Sequence, residues 1–160
     1  MITPQFQDFL NFLDNTHSAH TGFVLDIHKQ LTGLGCRFKV TITKAFPFQV
    51  AYTRPGSRKG ILNFYLRKKG LKIRVTIIDP AGHAETLHRL PPNMLAQMDS
   101  QNPCRKLTEG CECLETCSGF DFYINDTHYQ KCRFDCFKFD VDGESIPFFI
   151  ALLERELDAR

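Results

Sequence analysis

Between Ile27 and Ile78 the chain has no aspartate or glutamate, although 18 acidic residues occur elsewhere among its 160. Other absences are as informative. No run of about 20 apolar residues occurs, which excludes a membrane-spanning helix. The opening residues, MITPQFQDFL, lack both an early Lys or Arg and a long apolar run, so they do not read as a secretory signal. Internal repeats and low-complexity tracts are missing. There is no P-loop, GxGxxG, GxSxG or HExxH pattern, and no CxxC. Phosphate-cradling loops, dinucleotide folds, the hydrolase nucleophile elbow, helical zinc proteases and thioredoxin-type redox centres therefore have no support in the sequence. The expectation is a cytoplasmic protein of one domain, spanning 1–160.

What is present divides by segment. Residues 1–34 read as helical. Thr3-Pro4 is a cap followed by proline at the first helical position, and Phe6, Phe9, Leu10 and Leu13 form an apolar stripe. Asp14-Asn15-Thr16 is expected to break that helix and cap a second one. His20, Phe23, Val24, Ile27 and Leu31 fall on one face of the second, which Gly33 or Gly35 ends. Residues 35–78 alternate with period two, in CRFKVTIT, FPFQVAYT, ILNFYLR and LKIRVTII, joined by RPGSRKG and KKG turns. Short connections imply a mainly antiparallel sheet. In the second of these strands Phe46, Phe48, Val50 and Tyr52 share one side, and one face of the sheet carries Phe38, Val40, Ile42, Phe48, Val50, Leu62, Phe64, Leu66, Ile73 and Val75. Residues 79–102 read as short helices. Residues 103–141 read as a cysteine-rich loop with strands, FDFYI and THYQKC forming a hairpin about Asn125-Asp126. Residues 145–159 read as a C-terminal helix with Phe148, Phe149, Leu152, Leu153 and Leu157 on its buried side. The fold class is α+β: a mainly antiparallel sheet, covered on one face by N- and C-terminal helices, with a cysteine-rich metal loop.

Seven cysteines are present, and six lie between Cys104 and Cys136. An odd count without a secretory signal argues against a disulfide framework. Cys36, on the apolar face of a strand, reads as a small buried hydrophobe. Cys113, Cys117, Cys132 and Cys136 make two C-x3-C pairs, similar to a four-ligand zinc pattern but not the commoner C-x2-C knuckle. Ligands at about 2.3 Å in a tetrahedron put their sulfurs roughly 4 Å apart. Residues i and i+4 on a straight strand are about 13 Å apart. If Tyr129 to Val141 is extended, Cys132 and Cys136 cannot share an ion, and the fourth ligand comes from Cys104 or Cys111. A turn at Arg133-Phe134-Asp135 would rescue the pair.

ILNFYLRKKGL (Ile61 to Leu71), Cys-Arg-Lys-Leu, Cys-Ser-Gly-Phe-Asp-Phe and Tyr-Gln-Lys-Cys-Arg together resemble a family of small uncharacterised bacterial proteins, from about Gly35 onward. The resemblance implies four cysteines, Cys104, Cys113, Cys117 and Cys132, and no activity. Cys111 and Cys136 depart from its pattern. Those four are the expected metal ligands. Zinc is the expected ion, because four thiolates in a closed tetrahedron suit it, and an iron–sulfur cluster is the alternative. A closed four-thiolate zinc is structural. The competing reading is a thiol-based redox enzyme or a metal or redox sensor working through Cys104–Cys136. Glu112 and Glu115 beside Cys111 and Cys113 oppose thiolate formation, which argues against a low-pKa nucleophile.

The segment from Ile27 to Ile78 holds 12 Lys or Arg residues, so it carries about +12 and the rest about −10. Alternation puts Arg37, Lys39, Arg67, Lys72 and Arg74 on the second sheet face, with Gln49, Asn63 and Tyr65. Such a face suits an anionic small molecule or a nucleic acid, Tyr65 or Tyr52 serving for stacking. The bland reading is internal neutralisation by Asp121, Asp126, Asp135, Asp140, Asp142 and Glu144. Of the histidines, His17 and His20 sit at i, i+3, and His83 and His88 with Glu85 read as a solvated helix face.

Overall fold

The computed structural model describes residues 2–159, and the first helix begins as Thr3-Pro4 requires. The Thr3 hydroxyl oxygen accepts the Phe6 N–H at 3.3 Å, capping α1 (Pro4–His17). The helix does not break at Asp14-Asn15-Thr16. Asn15 and Thr16 instead donate their side chains back to the carbonyls of Asn11 and Phe12, so the chain stays helical. The break comes one turn later, in a 3-10 turn at Ser18–His20, before α2 (Thr21–Gly33). Gly35, at φ +80°, ends α2: its N–H reaches the Thr32 carbonyl and the Cys36 N–H reaches Leu31. This is the paired bonding that a left-handed glycine cap permits.

Two compact units emerge. The first holds residues 2–76 and Asp140–Gly143. Its sheet runs β1 (Arg37–Thr41), β2 (Phe48–Thr53), β3 (Gly60–Arg67) and β4 (Gly70–Val75), all neighbours antiparallel. The chain returns to β4 after β7 (Lys138–Asp140): the Val141 N–H donates to Leu71 C=O and Lys72 pairs with Asp140 at 2.9 Å. Register sets Phe38, Val40, Val50, Tyr52, Leu62, Phe64, Ile73 and Val75 on one face. Rings from α1 and α2 meet that face: Phe6 against Phe38, Phe9 against Phe48 and Phe64, and Phe23 against Phe64. Phe6, Phe9 and Phe64 are fully buried, and each contributes roughly 1.5–3 kcal/mol.

Two residues leave the predicted face. Thr43 and Phe46 close a turn, the Phe46 N–H donating to the Thr43 hydroxyl, so β1 stops at Thr41 and Ile42 is 71% exposed. Phe46 precedes Pro47 and stands outside β2. Its ring lies over Tyr65, on the sheet's other face.

The second unit holds Ile77–Phe139 and residues 144–159. A 3-10 turn at Pro80–His83, capped by Asp79, leads into α3 (Ala84–Leu87), and α4 (Pro92–Ser100) and α5 (Arg105–Thr108) follow. The hairpin of β5 (Phe120–Ile124) and β6 (Thr127–Lys131) turns at Asn125, whose φ of 51° suits asparagine. Phe120, Phe122, Tyr129 and Phe137 form its aromatic core. Lys131 is buried, and its ammonium donates to the carbonyls of Asp99 and Gln101 at the end of α4. Helix α6 (Ile146–Asp158) buries Phe149, Leu152, Leu153 and Glu156, and Phe149 meets the Phe139 ring. Phe148 and Leu157 are only half-buried. Among the described residues no helix is long and apolar enough to cross a membrane.

Candidate metal centre and basic sheet face

Three separate segments carry Cys104, Cys117 and Cys132, and each is tied to the other two. The first tie is a β-bridge, Pro103 against Lys131: the Cys104 N–H donates to Gln130 C=O at 2.9 Å and the Cys132 N–H to Asn102 C=O at 3.2 Å. In an antiparallel bridge the residues either side of the paired one share a face, so Cys104 and Cys132 are diagonal neighbours on one side. The second tie links the segments of Cys104 and Cys117, where the Lys106 ammonium donates to the Cys117 carbonyl at 2.8 Å. The third links Cys117 with Cys132: Arg133 donates to the Ser118 hydroxyl, and Phe120 pairs with Lys131 one residue inside.

Gly119 sits where these ties meet. A Cβ there would come within 2.5 Å of the Cys104 sulfur and 2.9 Å of Leu107 Cδ1, and its φ is +69°. Only glycine fits both the conformation and the space. Gly119 and Cys132 are the residues that follow the last pair of the β5–β6 ladder.

The remaining cysteines divide clearly. Cys36 and Cys136 are buried, as the strand pattern anticipated for Cys36. Burial pushes the Cys136 thiol up to about 12. Cys111 is half-buried beside the Arg105–Glu109 ion pair, with both side chains within hydrogen-bonding reach of its sulfur. Cys113 is exposed and none of the three ties reaches it. Residues 132–136 are not extended: the Cys136 N–H bonds the Cys132 carbonyl at 2.9 Å, closing a turn. The spacing argument for setting Cys136 aside therefore falls. Burial does not replace it, because Cys104 and Cys117 are buried as well; what still sets Cys136 apart is its departure from the family pattern.

All seven cysteines are free thiols, so the donor set suits zinc chemically. Among the described residues, no three His, Cys, Asp or Glu side chains converge closely enough to hold an ion as they stand. Three of the expected ligands share a neighbourhood, and the fourth, Cys113, lies outside it.

The polar face of the first unit follows the predicted alternation. Lys39, Ala51, Asn63 and Arg74 are successive partners across four strands, with Arg37 and Thr53 in the row on one side. Thr41, Gln49, Tyr65 and Lys72 form the row on the other. Three inter-strand steps separate Lys39 from Arg74, about 14 Å. The cations thus rim a floor of small and amide side chains. Arg37 donates to Ser57 C=O and Arg74 to the Asn63 side chain. The Lys72–Asp140 pair neutralises one cation internally, as the bland reading anticipated for Asp140. The Arg67 guanidinium stacks on Phe46 at 4.3 Å, so this face holds an aromatic that the sequence pattern had assigned to the other side. Tyr52 is not available for stacking: it is fully buried and its hydroxyl meets His28 Nδ1 at 2.9 Å.

Two buried polar pairs escaped the sequence reading. One is His28–Tyr52. The other is His83–Glu156, Nε2 to Oε1 at 2.8 Å, both side chains about 3% exposed. His83 is therefore no part of a solvated face, whereas Glu85 and His88 are exposed. The signal lay in the spacing of α6: Phe149, Leu152, Leu153 and Glu156 fall at i, i+3, i+4 and i+7.

Comparison of the chain with protein-family models, with curated protein sequences and with solved structures finds no match.

Proposed function

We propose that the second unit is a thiolate metal-binding module, with Cys104, Cys113, Cys117 and Cys132 as ligands and zinc as the ion. One observation carries the reading: three of these four cysteines come from segments knotted pairwise around a glycine that no other residue can replace. Zinc would draw in Cys113 from the exposed 109–116 loop and complete a closed, structural set. Binding and ordering of that loop are then one event. The test is a titration of reduced, metal-free protein with cobalt(II), followed by zinc. Expected are thiolate-to-cobalt absorption saturating at one equivalent, its loss on adding zinc, and its disappearance in Cys132→Ser but not in Cys111→Ser. No thiolate absorption, with fast alkylation of one or two cysteines, would favour the redox reading instead.

The sheet face of the first unit supports a second reading, an anionic ligand held by Arg37, Lys39, Arg67 and Arg74. The Phe46 ring, under the Arg67 guanidinium and tilted against the buried Tyr65 at 5.1 Å, favours a ligand with a flat ring as well as phosphate. Binding of a fluorescent oligonucleotide and of a nucleoside monophosphate, each at low and moderate salt, separates the two ligand classes. Salt-insensitive or undetectable binding of both, or an unchanged affinity in Arg67→Ala, would remove this reading.

A further inference from the structure

Strand β1 is an outer strand of its sheet, with β2 as its one strand neighbour. The ladder fixes which of its backbone groups point outward. The Thr76 N–H donates to Ile61 C=O, and the Val141 N–H donates to Leu71 C=O. In an antiparallel ladder bonded pairs alternate with unbonded ones. Ile61, Asn63 and Tyr65 therefore bond towards β4, and Leu62, Phe64 and Leu66 towards β2. Carried through the register, Gln49, Ala51 and Thr53 bond Thr41, Lys39 and Arg37. The N–H and C=O groups of Phe38 and Val40 point the other way, and among the described residues no backbone bond reaches them.

The side chains along this edge differ by face. Phe38 and Val40 are half-buried, whereas Tyr52 and Val50, beside them on β2, are fully buried. The apolar layer of the sheet is therefore unfinished at β1. On the other face Arg37 and Lys39 are exposed. The Arg37 guanidinium donates to a neutral carbonyl, that of Ser57, and among the described residues no carboxylate pairs with either cation. A second copy paired about the centre of β1 would oppose two Lys39 ammonium groups, which is unfavourable. An acidic strand meets the same cations with opposite charge.

We infer that the outer edge of β1 receives an extended segment of a partner protein, in which acidic residues alternate with β-branched apolar ones. The apolar side chains continue the layer of Phe38 and Val40, and the carboxylates lie beside Arg37 and Lys39. In this mode of binding backbone hydrogen bonds supply affinity and the alternate side chains supply specificity. The groups used lie at the edge and not on the face where Arg67 and Arg74 stand, so strand addition and ligand binding on that face are separable.

The experiment is an NMR titration of the ¹⁵N-labelled chain with acetyl-Glu-Val-Glu-Val-Glu-amide, whose valines fall opposite Phe38 and Val40. Controls are the same peptide N-methylated at both valines, the same peptide N-methylated at the glutamates, and a peptide with lysine in place of glutamate. Expected are a saturable shift and slowed exchange of the Phe38 and Val40 N–H groups. Methylating the valines removes two hydrogen bonds to β1 and should weaken binding roughly tenfold. Methylating the glutamates, whose N–H groups point away from β1, should leave it unchanged, and the lysine peptide should not bind. Lys39→Glu should weaken the acidic peptide severalfold, more at low salt than at high. Val40→Pro deletes an outward donor on an edge strand, where proline is tolerated, and should abolish binding without unfolding the sheet. The methylated peptides decide independently of whether that variant folds. Unmoved Phe38 and Val40 signals, undiminished binding of the valine-methylated peptide, binding of the lysine peptide, or a dimer that already protects both amides would each overturn the assignment.

Discussion

Gly119→Ala tests how tightly the cysteine segments are packed in the reduced, metal-free protein. Two costs apply. An L residue held at φ +69° costs about 1–2 kcal/mol. The added methyl must also displace the Cys104 sulfur and Leu107, which lie 2.5 and 2.9 Å from it, an overpacking cost of roughly 1–3 kcal/mol. The sum is about 2–5 kcal/mol. Gly110→Ala supplies the reference, because Gly110 has nearly the same φ, +68°, but nothing within 4 Å of its Cβ position. Only the first cost applies there. The difference between the variants, roughly 1–3 kcal/mol, isolates the contact with Cys104 and Leu107. In urea, with a slope near 2 kcal/mol per M, it corresponds to midpoints about 0.5–1.5 M apart. The assay is urea unfolding of both variants under reducing conditions, followed by circular dichroism. Midpoints that coincide would refute the claim that Gly119 is held against Cys104.

Glu156→Ala should cost about 2–5 kcal/mol, because the His83 Nε2–H and the Ile78 N–H both lose their acceptor in a buried site; thermal unfolding checks it, and a shift like that of an exposed residue would count against the pair. Cys136, with its folded pKa pushed up to about 12, ionises first in the unfolded chain, whose thiol titrates near 8.5. Its contribution to stability is therefore complete below about pH 8.5 and lost as pH rises towards 12. Denaturation at pH 8 and at pH 10.5 should show a steeper alkaline loss in the native chain than in Cys136→Ala.

Local signals in the sequence were legible where local physics decides the outcome. Thr3-Pro4, Gly35 and the Asn125 turn each act through bonds or torsions within a few residues, and period two gave both sheet faces through the register of β1 to β4. Ile42 and Phe46 were misread because a turn between Thr43 and Phe46 interrupts the alternation, and nothing in an apolar run marks where pairing stops. Asn15 and Thr16 can cap a helix or bond back along it, and only the following residues settle which. The cysteine neighbourhood is the least local feature. Its ties run from Cys104 to Gln130, from Lys106 to Cys117 and from Arg133 to Ser118, pairings that spacing along the chain does not encode. The same holds for His83 and Glu156, which lie 73 residues apart.

The most direct test of the metal assignment is a combined measurement on protein purified without chelators: elemental analysis, and mass-spectrometric mapping of which cysteines alkylate. The account predicts one zinc per chain, with Cys104, Cys113, Cys117 and Cys132 protected together and released together by a chelator, while Cys111 alkylates throughout. A chain without zinc or iron, in which Cys113 alkylates as fast as Cys111, would contradict it.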